Sequence, residues 1–472
     1  MSIERKVMLR TLIALSIPAC IDFMLQSALS YADYIMVGKL GSNASAAVGL
    51  TQEVNYLLRG VLMAAGIGVV SYISVSMGKR QYKDVKRASI QSFYMSAVMG
   101  LILLAVSFVS SPFLPEWMGA DETIRADASS YFRIIYLPVV FISLNMILGS
   151  ALKGVGDMKT PMYVNAFMNI LNIALNFLLI YNSRTIAVAG LRLDVWGAGL
   201  GVKGSAMGTA IASVVGGVLM IIGVYRNPLV SPIGERFTVN MKIIKRCIVT
   251  AIPVLLCRIT TSLGRVVFTA FITGLGTLTL AAHTITFTAE SAFYMAVVGA
   301  QTAVTTLAGN YKGERNKQKL NQLTISSCAL IASLMFVVGI IMIAVAKPVI
   351  SFFTADADVI YIGTRLFYII AVNEAIFGVS MVMEGIFNGT GDTKSPFIVS
   401  IATLWIVRVL GTWIVINVLG LGIYGAWICM VSENAVRGIA LLIRYNFVKD
   451  NLIQPSNKLE AIENGKSIQW HS

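Results

Sequence analysis

The sequence predicts an all-α polytopic membrane protein with twelve transmembrane helices. They form two parallel six-helix repeats, related by a pseudo-two-fold axis along the membrane normal. The composition, the length of the apolar segments and an internal duplication support this fold class. Of the 472 residues, 56% are hydrophobic and only 13% are charged, whereas a soluble domain carries roughly 25% charged residues. A chain of this length with so few charges cannot cover a globular surface, so a soluble enzyme is excluded.

The apolar residues fall into twelve segments, each of about 20 residues or more, which is the length a helix needs to cross ~30 Å of hydrocarbon. The predicted spans are residues 9–38, 47–77, 88–112, 126–152, 161–182, 202–225, 245–274, 279–308, 320–346, 360–387, 396–418 and 423–447. The first span continues past Cys20 to about Gly38. A cleaved signal peptide has a much shorter apolar core, so we expect this helix to stay attached.

Lysine and arginine are concentrated in the connections on one side of the predicted membrane. After the second, sixth and eighth spans these cations are Lys79, Arg80, Lys83, Lys86, Arg87, Arg226, Arg236, Lys242, Lys245, Arg246, Lys312, Arg315, Lys317 and Lys319. The opposite loops hold isolated cations mixed with acidic residues. Because cytoplasmic loops carry the excess of positive charge, we expect both termini of this multi-pass inner-membrane protein to be cytoplasmic.

The sequence repeats itself at a constant shift of 235 residues. The segment 152–161 (LKGVGDMKTP) overlays 387–396 (FNGTGDTKSP), and the same shift places Pro18 on Pro253. Six spans return the chain to its starting side, so the two repeats are parallel. The predicted domains are an N-lobe over residues 1–232, a C-lobe over 233–447 and a polar cytoplasmic tail over 448–472.

Two facing bundles form a cleft that can open to either side of the membrane, and this arrangement favours a transporter. An intramembrane enzyme needs a nucleophile with a base, or a metal cluster. His283 stands alone, and the five cysteines form no C-x-x-C pair. We therefore expect no enzymatic activity and no cofactor. The net charge of +14 is explained by the cytoplasmic loops, so nucleic acid is not an expected partner.

Several charged side chains fall inside the predicted helices, where a charge is costly unless it faces water, finds a partner or is neutralised. Asp33 lies in the first helix, and Asp22 precedes it by eleven residues on nearly the same face. The other candidates for a substrate or proton pathway are Arg59, Arg258, Arg265, Glu290 and Glu374.

Several motifs along residues 10–447 give the chain a resemblance to the MATE (multidrug and toxic compound extrusion) family. They are Pro18 with the segment 32–41 (ADYIMVGKLG), the two G-x-G-D-x-K-x-P turns, the segments 171–176 (LNIALN) and 204–209 (GSAMGT), and Ala281-Ala282-His283 followed by Glu290-Ser291. The resemblance implies two six-helix lobes. It also implies export of amphipathic, often cationic, compounds in exchange for H⁺ or Na⁺.

In that family, the residue matching Asp33 belongs to a cation site of the N-lobe, which here would include Asn172, Asn176 and Thr209. The two asparagines are four residues apart and therefore share a helix face, and carboxylate, amide and hydroxyl oxygens suit a hard cation. One branch of the family has aspartate at the position of Asn176, so Asp33 is the main titrating candidate. Hydrogen bonding between helices is the alternative role of the three polar residues.

The resemblance implies a cation-coupled antiporter that works by alternating access. We expect a monomer in the lipid bilayer that exports small amphipathic molecules, with H⁺ or Na⁺ as the coupling ion. Thr261 stands where some relatives have a glutamate, so that ligand is missing. The alternative is a flippase for lipid-linked anionic precursors, because the guanidinium groups of Arg59, Arg258 and Arg265 attract phosphate.

Overall fold

The computed structural model describes residues 3–188 and 191–453, which form fifteen α-helices, one π-helical turn and two strands. The elements of the first repeat are α1 (Ile3–Gly38), α2 (Ser42–Gly78), α3 (Tyr82–Ser110), α4 (Leu114–Trp117), α5 (Glu122–Tyr136), α6 (Val139–Gly154), α7 (Lys159–Leu179), β1 (Asn182–Val188), β2 (Leu191–Ala198) and α8 (Gly201–Arg226). Those of the second repeat are α9 (Met241–Thr273), α10 (Thr277–Gly313), α11 (Lys317–Phe353), α12 (Ala357–Gly389), α13 (Lys394–Thr403), the π-helical turn (Leu404–Leu410), α14 (Gly411–Asn417) and α15 (Gly422–Leu452).

The number of membrane spans agrees with the prediction. Within the described ranges, eleven helical segments are long and apolar enough to cross a membrane. The bent pair of α5 and α6 makes a twelfth span. The sequence predicted one continuous helix over residues 126–152, but the axis bends by 50° between Tyr136 and Val139. Pro138 lies in this break, and proline has no N–H to donate to the preceding turn.

The contacts divide the chain into two compact units whose limits fall inside helices. The first unit takes in the described residues of Met1–Cys20, Val70–Gln81 and Lys245–Ser472, and the second those of Ile21–Val69 and Tyr82–Ile244. The sequence placed all of residues 1–232 in one lobe. In the structure, the contacts group the first half of α1 and the final turns of α2 with the helices of the second repeat.

Within the first unit, α2 crosses α10 at two glycines. A Cβ atom on Gly78 would lie 2.9 Å from the Cα of Gly313, and one on Gly313 would lie 2.8 Å from the Cα of Gly78. Both added atoms would also overlap backbone carbonyl oxygens of the facing helix, those of Asn310 and Val75. The two glycines are related by the repeat shift (78 to 313), so the same residue of each repeat meets at this crossing.

A β-hairpin separates α7 from α8, in the connection between the predicted spans 161–182 and 202–225. The strands β1 and β2 are antiparallel, and the residues between them lie outside the described ranges. Gly199 and Gly201 follow the hairpin with φ of +64° and +57°, and Gly420 and Gly422 precede α15 with φ of +66° and +57°. These matching turns are 221 residues apart rather than 235, so the first repeat is 14 residues longer than the second in the region of the hairpin.

Candidate functional site

Asp33 lies in the second unit, where α1 faces α7. The side-chain amide of Asn176 donates a hydrogen bond to Asp33 Oδ1 over 2.5 Å. Asn176 is fully buried and Asn172, one turn before it, is almost so. The predicted spacing of four residues therefore does place both amides on the face of α7 that meets the acid.

Asn172 connects the acid to α8. With its amide oxygen directed to Thr209, Asn172 accepts from the hydroxyl over 3.0 Å and from the backbone N–H over 3.2 Å. In that orientation its nitrogen lies 2.8 Å from Asp33 Oδ1 and donates to it. The structure thus brings together all four residues predicted for the cation site, from three different helices.

Gly208 makes this arrangement sterically possible, and the sequence analysis did not identify it as a site residue. A Cβ atom at Gly208 would overlap Asn176 Oδ1 and lie 3.3 Å from the Asn176 backbone nitrogen. The signal was present in the sequence, because Gly204 and Gly208 form the small-xxx-small pattern that allows membrane helices to approach closely.

The asparagine side chains that contact Asp33 are hydrogen-bond donors, as a carboxylate requires. A hard cation would need amide oxygens directed toward it, whereas both asparagines present their nitrogens to the acid. Asn176 Oδ1 is buried and has no hydrogen-bond partner among the described residues. Among the described cations, Arg59 on α2 acts electrostatically on Asp33. The site therefore contains one acid, amide donors and one buried acceptor that is not used.

Asp22 belongs to a separate cluster in the second unit. Its carboxylate is fully buried and accepts from Lys153 Nζ at 2.9 Å, Asn165 Nδ2 at 2.7 Å and Gln26 Nε2 at 3.2 Å. Lys153 also lies 5.3 Å from the centre of the Phe23 ring. The negative charge of Asp22 is thus compensated by Lys153, where α1 meets α6.

The first unit holds a second group of acids. Glu290 on α10 and Glu374 on α12 interact electrostatically with each other, and Arg408 acts on Glu290. Glu374 is 1% exposed, and its Oε2 atom has no hydrogen-bond partner among the described residues. The two acids of this unit therefore influence each other electrostatically.

Arg408 lies on the π-helical turn and is paired with Glu433 on α15. The guanidinium contacts the carboxylate at 2.7 Å, and Thr403 donates to the same side chain over 3.2 Å. Arg437, which is four residues from Glu433 on the same helix, lies farther away at 3.8 Å. The charge of Arg408 is thus largely compensated by Glu433.

The remaining candidates lie on α9 or pack among aromatic rings. Arg258 and Arg265 both lie on α9, and Arg265 contacts the Ser262 hydroxyl over 3.4 Å. Thr261 donates to the Cys257 carbonyl over 2.7 Å.

His283 packs against three aromatic rings, those of Phe268, Phe287 and Trp427. No group of three or more potential metal-ligating His, Cys, Asp or Glu residues occurs in the described parts of the chain.

The comparisons with known proteins agree with the duplicated architecture. The model of the MatE family matches residues 18–178 and 253–414, two segments that begin 235 residues apart. The probable multidrug resistance protein NorM of Thermotoga maritima is 26% identical over 443 residues, covering 92% of this chain and 91% of that protein. The multidrug export protein MepA of Staphylococcus aureus is 24% identical over 461 residues, covering 97% of each chain.

Solved structures share the fold. A transporter of the MOP superfamily from Pyrococcus furiosus superposes with a TM-score of 0.85 at 23% identity, covering 94% of this chain and 96% of that chain. The MATE transporter VcmN of Vibrio cholerae, in its bent form, also gives 0.85 at 18% identity, covering 96% and 100%. These likenesses confirm the predicted two-lobe fold. The alternative of a flippase receives no support from the comparisons.

Proposed function

Because the chain belongs to the MatE family and is a multi-pass membrane transporter rather than an enzyme, we propose that it exports small amphipathic cations across the plasma membrane by cation-coupled antiport. The relatives NorM and MepA are described as multidrug resistance and export proteins. The observation that supports coupling is the position of Asp33 inside the second unit, within hydrogen-bond distance of amide nitrogens from Asn172 and Asn176.

The proposed coupling ion is a proton. A carboxylate accepts hydrogen bonds at all of its lone pairs, whereas a protonated carboxyl group has an O–H to donate. Both amides donate to Oδ1 of Asp33. A proton on that atom weakens it as an acceptor and supplies an O–H donor near Asn176 Oδ1, the buried acceptor that has no partner among the described residues. An amide rotation satisfies the new pattern and changes how α1 contacts α7.

This exchange drives export only if the proton and the substrate favour different conformations. By thermodynamic linkage, a proton that disfavours the substrate-bound state must itself be released when substrate binds. A coupling of 1–3 kcal/mol changes the affinity by roughly 5- to 150-fold. In the proposed cycle, a proton from outside neutralises Asp33 and the substrate then leaves outward.

We further propose that Glu290 and Glu374 contact the transported cation. The two acids influence each other electrostatically, and Glu374 has a buried oxygen that has no hydrogen-bond partner in the described structure. A positive charge near both side chains stabilises their ionised forms. Substituting either acid by glutamine should then weaken organic-cation binding more than it weakens binding of an uncharged analogue.

Reconstituted vesicles test the coupling proposal. Purified protein is reconstituted into lipid vesicles. A proton gradient and a sodium gradient are imposed in separate experiments, and the transport of a fluorescent organic cation is measured in each. We expect the proton gradient alone to drive transport and Asp33→Asn to abolish it. Asp84→Asn, which changes an acid at the surface, is the matched control and should transport as the wild type does. Transport driven only by sodium would overturn the choice of ion.

A further inference from the structure

A groove with a volume of about 610 Å³ runs between α7 and α8 in the second unit. One wall carries Thr160, Tyr163 and Phe167, and the other carries Leu219, Ile222 and Arg226. Each set follows the i, i+3, i+7 spacing of a single helix face. Gly223 brings the walls together, because a Cβ atom there would lie 2.7 Å from the Thr160 methyl carbon.

The groove is polar at one end and apolar along its length. Thr160 and Arg226 lie at the mouth, where α7 begins and α8 ends, on the side predicted to be cytoplasmic. From there the apolar walls extend over seven residues, or about 10 Å. Tyr163 and Phe167 are 64% and 51% exposed. In a membrane-spanning helix, such apolar surfaces face lipid chains.

The cation at the mouth is available for a ligand, whereas the nearby acid is already bonded. Asp157 accepts from the Thr160 backbone N–H at 3.0 Å, from the Thr160 hydroxyl at 2.8 Å and from Asn227 Nδ2 at 3.0 Å. Arg226 is exposed, and it has no hydrogen bond or ion pair within the described ranges. Lys159, also exposed, adds a second positive charge at the start of α7.

The second repeat differs at the corresponding turn. Ser395 is the counterpart of Thr160 at the repeat shift, and its hydroxyl bonds to Asp392 at 2.7 Å. There, however, Arg444 donates to Ser395 over 3.3 Å. Arg444 is thus bonded within the protein at the turn of the second repeat. Arg226, near the corresponding turn of the first repeat, has no described partner.

We propose that this groove binds one anionic phospholipid of the cytoplasmic leaflet. Its phosphate contacts the Arg226 guanidinium, which matches phosphate oxygens in a bidentate geometry, and an acyl chain lies between Phe167 and Leu219. Basic pockets between transmembrane helices on the cytoplasmic side are typical sites for anionic headgroups. The site is separate from Asp33 and does not depend on the proposed transport reaction.

Native mass spectrometry of the full-length protein in detergent tests this proposal, with phosphatidylglycerol and phosphatidylcholine as probes. We expect one phosphatidylglycerol to bind more tightly than phosphatidylcholine. Arg226→Gln should weaken its binding about fivefold or more, the effect of one basic residue near an anionic headgroup. Ile222→Trp should weaken binding of both lipids, because it fills the apolar body of the groove and leaves the charge in place.

Lys83→Gln is the matched control, since Lys83 is another exposed cation on the predicted cytoplasmic side. It should bind phosphatidylglycerol as the wild type does. Equal loss in Lys83→Gln and Arg226→Gln would show general charge attraction and overturn the site. Wild-type affinity in Arg226→Gln, or full displacement of the lipid by inorganic phosphate, would also overturn it. Size-exclusion profiles of each variant confirm that the protein is folded.

Discussion

Replacing Gly313 by alanine should destabilise the crossing of α2 with α10. The added Cβ atom would lie 2.8 Å from the Cα of Gly78 and 2.8 Å from the backbone nitrogen of Lys79, and it would overlap the Val75 carbonyl oxygen. All three are backbone atoms, so no side-chain rotation relieves the contact. Carbon atoms attract at about 3.5 Å or more, so the helices have to separate by roughly 0.7 Å at least. Overpacking of this kind costs about 1–3 kcal/mol.

The proposed alternating-access cycle includes a state in which we expect this crossing to be open, and Gly313→Ala should favour that state by roughly 5- to 150-fold. Ser74 is fully buried one turn before Gly78, so a cysteine placed there by Ser74→Cys reports on opening. In inverted vesicles, a membrane-impermeant maleimide should label Ser74→Cys at least about fivefold faster when Gly313→Ala is also present. Labelling at residue 74 is measured by mass spectrometry.

Gly60→Ala is the control variant in α2, the other helix of the crossing, because a Cβ atom at Gly60 meets nothing within 4 Å. It should leave the labelling rate unchanged. The contrary result is that the protein with Gly313→Ala and Ser74→Cys is labelled as slowly as Ser74→Cys alone and unfolds at the same temperature. That result would show that α2 and α10 do not make a close backbone contact at Gly78 and Gly313.

Two further predictions follow from buried contacts. Asp22→Asn removes the buried negative charge that pairs with Lys153 and should lower the free energy of unfolding by about 3 kcal/mol. A double-mutant cycle with Lys153→Met checks this, because the second change should recover part of the loss, and strict additivity would show that the ion pair does not stabilise the fold. Gly208→Ala should displace the Asn176 amide from Asp33 and reduce proton-driven transport, measured in vesicles. Gly49→Ala, where a Cβ atom meets nothing within 4 Å, should transport normally, and wild-type transport in Gly208→Ala would contradict the packing argument.

The spans and the duplication could be predicted because each depends on local properties of the sequence. Apolar length identifies a membrane helix regardless of its neighbours, and a constant shift can be counted. The bend before α6 was missed although Pro138 signals it, because the apolar run continues through the proline. The hairpin was not predicted because the apolar length that identifies a membrane helix carries no information about strands in a connecting loop.

The contacts of the charged residues could not be predicted in the same way, since they join distant parts of the chain. The i,i+4 rule indicates Arg437 as the partner of Glu433, yet Arg408, on the π-helical turn, approaches more closely, at 2.7 Å against 3.8 Å. The ion pair of Asp22 with Lys153 spans 131 residues. For Asp33, the family resemblance supplied the partners, whereas spacing alone placed only the two asparagines on one face.

Proton release on substrate binding tests the role of Asp33 most directly. The number of protons released when an organic cation binds to the purified protein can be measured by titration calorimetry in buffers of different ionisation enthalpy. The proposed exchange predicts about one proton released per substrate bound in the wild type and none in Asp33→Asn. Equal release from both proteins would contradict the assignment of Asp33 as the coupling acid.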